Sequence, residues 1–234
     1  MTVLSKRLLE IAGLCRESDI LIDVGCDHAL IPVSLLEGNS ISFAVASDIN
    51  EGPIRAAEKN AKNAGVSDRM RFVVADGLKG LDPADPLFSK KKIALLISGM
   101  GGPLIEKIIK EGENILPLIE RFVFSPHSKI TEFRRFLGEN GFSIRKEVLI
   151  REDGKYYFII CCKRGEDTCR DKTDYELGPG FFDEKNDIKR EYLKARSETF
   201  RNLCENPAIK GEKREEIKEK LLLYEKAAQI YGID

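Results

Sequence analysis

Four acidic residues at the ends of apolar runs are the side chains of this 234-residue sequence best suited to chemistry. Asp23 lies inside the run Ile20 to Val24, and Asp27 falls in the turn that begins at Gly25. Asp48 closes the run Phe43 to Ser47, and Asp76 follows Met70 to Ala75. Carboxylates pair with cations and accept hydrogen bonds from hydroxyl and amino groups. Asp23 and Asp27 therefore suit a positively charged ligand. Asp48, roughly 20 residues beyond the turn, suits the two hydroxyls of a ribose, and Asp76 suits the amino group of an adenine. Each could alternatively cap the helix that follows it, because Asp is common at strand-to-helix turns.

The elements that must position these residues begin with Ile20 to Val33, an apolar run of strand length, a glycine turn and a helix-compatible segment. In an open parallel sheet the ligand crevice lies outside the carboxyl ends of the strands, which places it at this turn. A dinucleotide fingerprint, Gly-x-Gly-x-x-Gly, would bring the backbone close to a pyrophosphate, but its three positions here are Gly25, Asp27 and Leu30. An acidic residue repels a pyrophosphate and favours the ammonium and sulfonium centres of S-adenosylmethionine. The carboxylate set thus points to a methyltransferase. An NAD-dependent oxidoreductase is disfavoured by the missing glycines and by the lack of a Lys/Tyr or His catalytic pair.

Around the turn, strands and helices alternate. A helix is predicted over Leu4 to Leu14, and another over Leu30 to Leu36 with Pro32 in its first turn, where a missing N–H costs little. Helices are also predicted over Pro53 to Gly65, Pro103 to Glu113 and Ile130 to Asn140. Further strands are Phe43 to Ser47, Met70 to Ala75, the fully apolar Ile93 to Ile97, and Phe122 to Phe124. Ser143 to Arg151 and Lys155 to Lys163, joined by Glu-Asp-Gly-Lys, then read as a hairpin. The segment from Gly165 to Pro179 is polar and reads as a linker. Beyond it, stripes of Ile188, Tyr192, Ala195, Thr199, Leu203 and of Ile217, Leu221, Tyr224, Ala228, Tyr231 predict two antiparallel helices. The expected architecture is α/β: a Rossmann-like, mostly parallel sheet with an antiparallel hairpin at its end, followed by a C-terminal helical hairpin. Domain boundaries are expected at 1–164 for the catalytic part and 165–234 for the linker and helical extension.

Composition narrows the classes. A hydrophobic fraction of 42% with 33% charged residues describes a globular chain with no run approaching a membrane span, and no signal peptide is evident, so a cytoplasmic location is expected. A formal charge of −1 gives no global attraction to nucleic acid, so any RNA contact must be local. Six scattered cysteines and two histidines suggest neither a metal site nor a disulfide framework. No metal and no membrane partner are expected, and a monomer is the expected state.

Asp23-Val-Gly-Cys-Asp-His-Ala-Leu-Ile-Pro32, Ser47-Asp-Ile-Asn50, Ile97-Ser-Gly-Met-Gly-Gly102 and Ser125-Pro-His-Ser128, in this order and ahead of a helical hairpin, resemble the bacterial tRNA (adenine-22-N1)-methyltransferase family over essentially the whole chain. The resemblance implies a class I, S-adenosylmethionine-dependent fold that methylates N1 of an adenine in the tRNA D-arm. It implies that Asp23, Gly25, Asp27 and His28 hold the aminoacyl end of the cofactor, Asp48 and Ile49 the ribose, and Asp76 and Gly77 the adenine. Ser98, Gly99, Met100 and Gly101 would line the methyl-transfer position. Cys26 stands where a small polar residue is expected in relatives.

Unprotonated N1 carries an in-plane lone pair, so its attack needs no prior deprotonation, and catalysis should rest on in-line placement. Asp27, Met100 and Gly101 are the candidates for that positioning, with Asp27 also facing the cation formed on N1. N1 lies on the Watson–Crick edge, so the base must leave its stack, and Met100 could pack against it. His28 and His127 could contact substrate or cofactor, although a loop histidine more often serves as a hydrogen-bonded structural residue. Lys90, Lys91 and Lys92, with Lys189, Arg190, Lys194, Arg196, Arg201, Lys213 and Arg214 of the helical hairpin, are candidate tRNA phosphate contacts, against the alternative of a solvated helix face. A small-molecule methyltransferase with a dimerising hairpin, or a noncatalytic RNA-binding protein on the same fold, would be competing readings.

Overall fold

A seven-stranded sheet in the order β3-β2-β1-β4-β5-β7-β6 carries the site, in a computed structural model that describes residues 2–233. The strands are β1 (Ile20–Val24), β2 (Phe43–Asp48), β3 (Met70–Val74), β4 (Ile93–Ser98), β5 (Ile119–Ser125), β6 (Phe142–Glu152) and β7 (Lys155–Arg164). The first five pair in parallel, and β7 runs antiparallel to β5 with Phe122 opposite Cys162 and Phe124 opposite Ile160. β1 and β4 are the central pair, Asp23 sitting beside Leu96 and Val24 beside Ile97. Ile20, Leu21 and Ile22 of β1 and Ala94 to Ile97 of β4 are at most 1% exposed, the continuous burial expected of parallel strands covered on both faces.

Helices α1 (Lys6–Cys15), α2 (Leu30–Glu37), α3 (Glu51–Asn63), α4 (Gly102–Glu111) and α5 (Ile130–Glu139) flank the sheet as expected. Pro32 and Pro103 lie within the first turns of α2 and α4. β5 is longer than the predicted Phe122 to Phe124. It starts at Ile119 and includes the polar Glu120 and Arg121, the latter paired with Glu17.

The segment read as a linker folds. It holds a six-residue helix, α6 (Lys172–Leu177), whose N-terminus is capped by Asp171 accepting from Thr173 at 2.8 Å and Asp174 at 2.9 Å. Its C-terminal end is held by a buried arginine. Arg134 on α5 donates to the carbonyls of Tyr175 at 2.7 Å and Glu176 at 2.9 Å, pairs with Glu147 at 2.6 Å and lies over Phe158. The Arg134 side chain is fully buried and that of Glu147 is 6% exposed.

The chain divides into two compact units: Met1–Val148 with Tyr157–Pro179, and Leu149–Tyr156 with Gly180–Asp234. This differs from a boundary at 164/165, because the α6 segment belongs with the sheet and the hairpin tip with the helices. Within the second unit, α7 (Asp187–Glu205) and α8 (Glu212–Ile230) form the expected hairpin. Its α8 face is as predicted at Ile217, Tyr224 and Ala228, but on α7 Thr199 is exposed, its hydroxyl donating to the Ala195 carbonyl at 2.7 Å. Phe200 is the buried residue instead, stacked on Tyr224 with centroids 5.3 Å apart. Tyr156 and Arg151 of the hairpin tip meet Tyr192 and Glu191 of α7 in the same unit. Among the described residues no helix is long and apolar enough to cross a membrane, and no group of three or more His, Cys, Asp and Glu is placed to hold a metal.

Candidate functional site

The turn after β1 takes its shape from three left-handed residues. Gly25, Asp27 and Ala29 have φ of 72°, 50° and 50°, a conformation that costs side-chain-bearing residues about 1 kcal/mol each. Gly25 and Cys26 donate to the carbonyl of Ser47 at 2.8 and 3.1 Å, so the ends of β1 and β2 are fixed to each other. A Cβ on Gly25 would lie 2.0 Å from the terminal methyl of Met100, so the glycine both allows the turn and admits Met100 over it.

Beside this turn lies a cavity of about 380 Å³, lined by Arg7, Leu8, Asp23, Gly25, Cys26, Asp27, His28, Leu30, Ile31, Asp48, Ser98, Gly99 and Met100. The structure therefore brings together Asp23, Gly25, Asp27, His28, Asp48, Ser98, Gly99 and Met100 from three strand ends. Four of the proposed residues are elsewhere. Ile49 is 62% exposed outside the lining. Asp76 pairs with Lys79 at 3.0 Å, whose hydrogen bond and charge keep its carboxyl below the usual range, and Lys79 also holds Glu111 at 2.9 Å. Gly77, at φ 67°, is backed by the side chain of Ile108. Gly101 is packed against Ser128, whose hydroxyl would lie 2.9 Å from an added Cβ, so its small size serves the approach of two loops.

Burial pushes the Asp23 carboxyl up to about 7, and the like charges of Asp48 and Asp27 add to the effect. A carboxyl held this way gains most from a ligand that brings positive charge. The donor set thus fits an ammonium or sulfonium and opposes a phosphate. His28 Nε2 is 3.5 Å from Asp27 Oδ1, both side chains being more than half exposed, so the pair lies at the open side of the crevice. Asp48 Oδ1 accepts from the Asn50 amide at 3.0 Å.

Sequence reasoning missed Arg7 and Leu8, which line the crevice from α1, ahead of the first strand in the chain, and no local signal marks them. The loop after β4 is zipped to the loop after β5. Gly99 donates to the carbonyl of Ser125 at 3.3 Å, His127 to that of Met100 at 2.8 Å, and Gly102 to that of Ser128 at 3.0 Å. The two motifs singled out in the sequence are therefore one structural feature.

The basic residues of the helical hairpin are mostly engaged within their own unit. Lys189 donates to the carbonyls of Phe181 and Glu184, Arg196 lies over Phe200 and Tyr224, Arg201 pairs with Glu225, Lys213 with Glu216, and Arg214 donates to the Cys204 carbonyl. Exposed Lys194 lines a groove with Arg201, Glu198 and Glu225, where the charges alternate in sign.

Residues 21–226 match the model of the TrmK family, tRNA (adenine(22)-N(1))-methyltransferase. The tRNA (adenine(22)-N(1))-methyltransferase of Bacillus subtilis is 28% identical over 190 residues, covering 79% of this chain and 77% of that one. The Streptococcus pneumoniae protein Sp1610 in complex with S-adenosyl-L-methionine superposes with a TM-score of 0.85 at 28% identity, covering 97% of this chain and all of the other. The TrmK of M. capricolum, in complex with the cofactor product S-adenosyl-homocysteine, does so with a TM-score of 0.81 at 25% identity, covering 97% of this chain and 99% of the other. A seven-stranded sheet with an acidic crevice at the β1 turn, matched by the family model over most of its length, makes this chain a member of the tRNA (adenine(22)-N(1))-methyltransferase family.

Proposed function

We propose that the chain methylates N1 of adenine 22 in tRNA in the cytoplasm, with the acidic crevice at the β1 turn as its S-adenosylmethionine site. The observation that carries this reading is Asp23, a buried carboxyl among like charges at a crevice floor, which asks for a cationic ligand. Asp23, the Gly25 turn, Asp27 and His28 would hold the aminoacyl end and Asp48 the ribose. Ile49 would stand with Asp48 at the ribose, and Asp76 and Gly77 would serve the adenine end beyond the cavity, where Lys79 holds Asp76 Oδ2 and Oδ1 would accept from the adenine amino group. Bound S-adenosylmethionine supplies a methyl group on a positively charged sulfur.

The chain's own contribution is placement. Neutral adenine needs no base at N1, so no side chain has to remove a proton before attack, and alignment can carry a large part of the acceleration. Positive charge passes from the sulfur to the adenine ring during transfer and is not created. The same carboxylates that favour the cofactor can therefore face the charged product, Asp27 being the nearer candidate because it lies at the mouth. Ser98, Gly99 and Met100 would form the wall along which N1 approaches. Gly101 would act at one remove, by letting the Ser128 loop close on that wall. Lys90 to Lys92, the half-buried Arg190 and the exposed Lys194 and Lys213 are proposed phosphate contacts, with Arg201, Lys189, Arg196 and Arg214 supporting the hairpin.

Incubation with methyl-labelled S-adenosylmethionine and bulk bacterial tRNA should place label in tRNA, and Asp27→Ala should lower kcat about 10-fold while cofactor affinity changes less. An Asp27→Ala protein with normal turnover would remove Asp27 from the charge-facing role, and absence of label with the wild-type chain would remove the tRNA reading.

A further inference from the structure

The crevice lining accounts for a cofactor but offers little to hold a base. Among the described residues it contributes one aromatic ring, His28, which sits on the cofactor side next to Asp27. An everted adenine loses its stacking on both neighbours, and enzymes recover that loss by placing an aromatic or apolar face against the ring.

Such a face exists at the edge of the crevice. Tyr157 follows the hairpin tip on β7, where alternation sends Phe158 inward against Arg134 and Tyr157 to the opposite face of the sheet. There Arg7, a crevice-lining residue of α1, places its guanidinium 5.1 Å from the Tyr157 ring centre. The His127 ring meets the same tyrosine at 5.3 Å and 60°, and the His127 amide is bonded to the carbonyl of Met100 at 2.8 Å. Met100 is itself in the crevice wall and lies over Gly25. Two lining residues from separate elements, Arg7 and Met100, are thus linked through Tyr157 and His127, the last step being the His127 backbone amide. Tyr157 is half-buried and His127 exposed.

We propose that Tyr157 and His127 form the surface on which the target adenine stacks, and that Arg7 fixes the tyrosine ring from its other side. This rests on the reading of the crevice as the methyl-donor site. Arg7 lies against the tyrosine ring, and His127 beside that ring is exposed where a purine would arrive. The zipped backbone of residues 99–102 and 125–128 holds that surface at a fixed distance from Met100. A purine resting there is brought to the crevice by the same loops that form its wall. Tyr157 and His127 would be substrate-contacting residues, and Arg7 a positioning residue.

The experiment uses the full chain and a tRNA carrying 2-aminopurine at position 22, whose emission is quenched by stacking. With the wild-type protein, emission should stay low on binding because the everted base stacks on the rings. With Tyr157→Ala or His127→Ala it should rise several-fold. On unmodified tRNA, Tyr157→Ala should lower kcat/KM roughly 10-fold or more, the scale of a lost base–aromatic stack, with S-adenosylmethionine affinity within about twofold. Tyr157→Phe should recover most of that loss. Arg7→Gln should raise emission less than Tyr157→Ala. His127→Ala, in an exposed loop, keeps the test open if Tyr157→Ala is poorly folded. Low emission and normal kcat/KM in both alanine variants would overturn the proposal while leaving the methyltransferase reading intact. A wild-type protein that methylates no tRNA would fail that reading instead.

Discussion

Asp23→Asn should lose S-adenosylmethionine binding about 100-fold and yet melt at a higher temperature than the wild-type apoprotein at pH 8. The two effects have one cause. The Asp23 carboxyl, ordinarily near 3.8, titrates at about 7 because of burial, with Asp48 and Asp27 adding to the shift. In the folded apoprotein it keeps a proton that the unfolded chain releases at much lower pH. Its contribution to stability is therefore complete below about pH 4 and is lost as pH rises through about 7. At pH 8 the native state carries a buried charge that Asn would not, worth about 2–4 kcal/mol. A cationic ligand reverses the balance, because it is paired only by the ionised form. Wild-type affinity should accordingly be about 10-fold weaker at pH 6 than at pH 8, with a proton released on binding in the lower part of that range. Titration calorimetry at the two pH values, with thermal melts of both proteins, reads all of these. Equal affinities across pH, or an Asn variant that binds normally, would show that Asp23 does not face a cation.

Arg134→Ala should have the largest effect on stability, a loss of about 3–5 kcal/mol. The guanidinium is fully enclosed, and its removal leaves the Glu147 carboxylate buried without its closest cation while releasing the carbonyls of Tyr175 and Glu176 at the end of α6. Phe158 also loses the guanidinium 4.7 Å from its ring centre. The double variant Arg134→Met with Glu147→Gln should recover part of the loss, since neither buried charge then remains. Urea unfolding at neutral pH measures this directly. A change below about 1 kcal/mol for Arg134→Ala would mean that the α6 segment is held by other contacts.

The parts of the structure that were legible in the sequence are those encoded locally. The strand, glycine turn and helix from Ile20 to Val33 follow from a run of adjacent residues, and the apolar Ile93 to Ile97 announces a central strand by composition alone. The same locality made Asp23, Asp27 and Asp48 visible, because each stands next to its strand end. Where distant residues decide the outcome, local pattern fails. The α6 helix is only six residues long and depends on Arg134 about 40 residues earlier, a partner no window around Lys172 contains. On α7 the choice between Thr199 and Phe200 turned on Tyr224 of the facing helix. Asp76 keeps the residue type and position of a ligand acceptor, with its Oδ2 held by Lys79 three residues on. Arg7, His127 and Tyr157 meet from three separate regions of the chain, so their grouping is a product of the fold.

The central claim is that this crevice delivers a methyl group to one atom of one nucleotide. The most direct measurement is methyl transfer by the purified chain to an unmodified tRNA transcript with adenine at position 22, in parallel with the same transcript carrying guanine there. Reverse transcription locates the product, since methylation at N1 blocks pairing. The account predicts label in the first transcript, a stop at position 22, and neither in the second. Equal labelling of both transcripts, or a stop elsewhere, would contradict it.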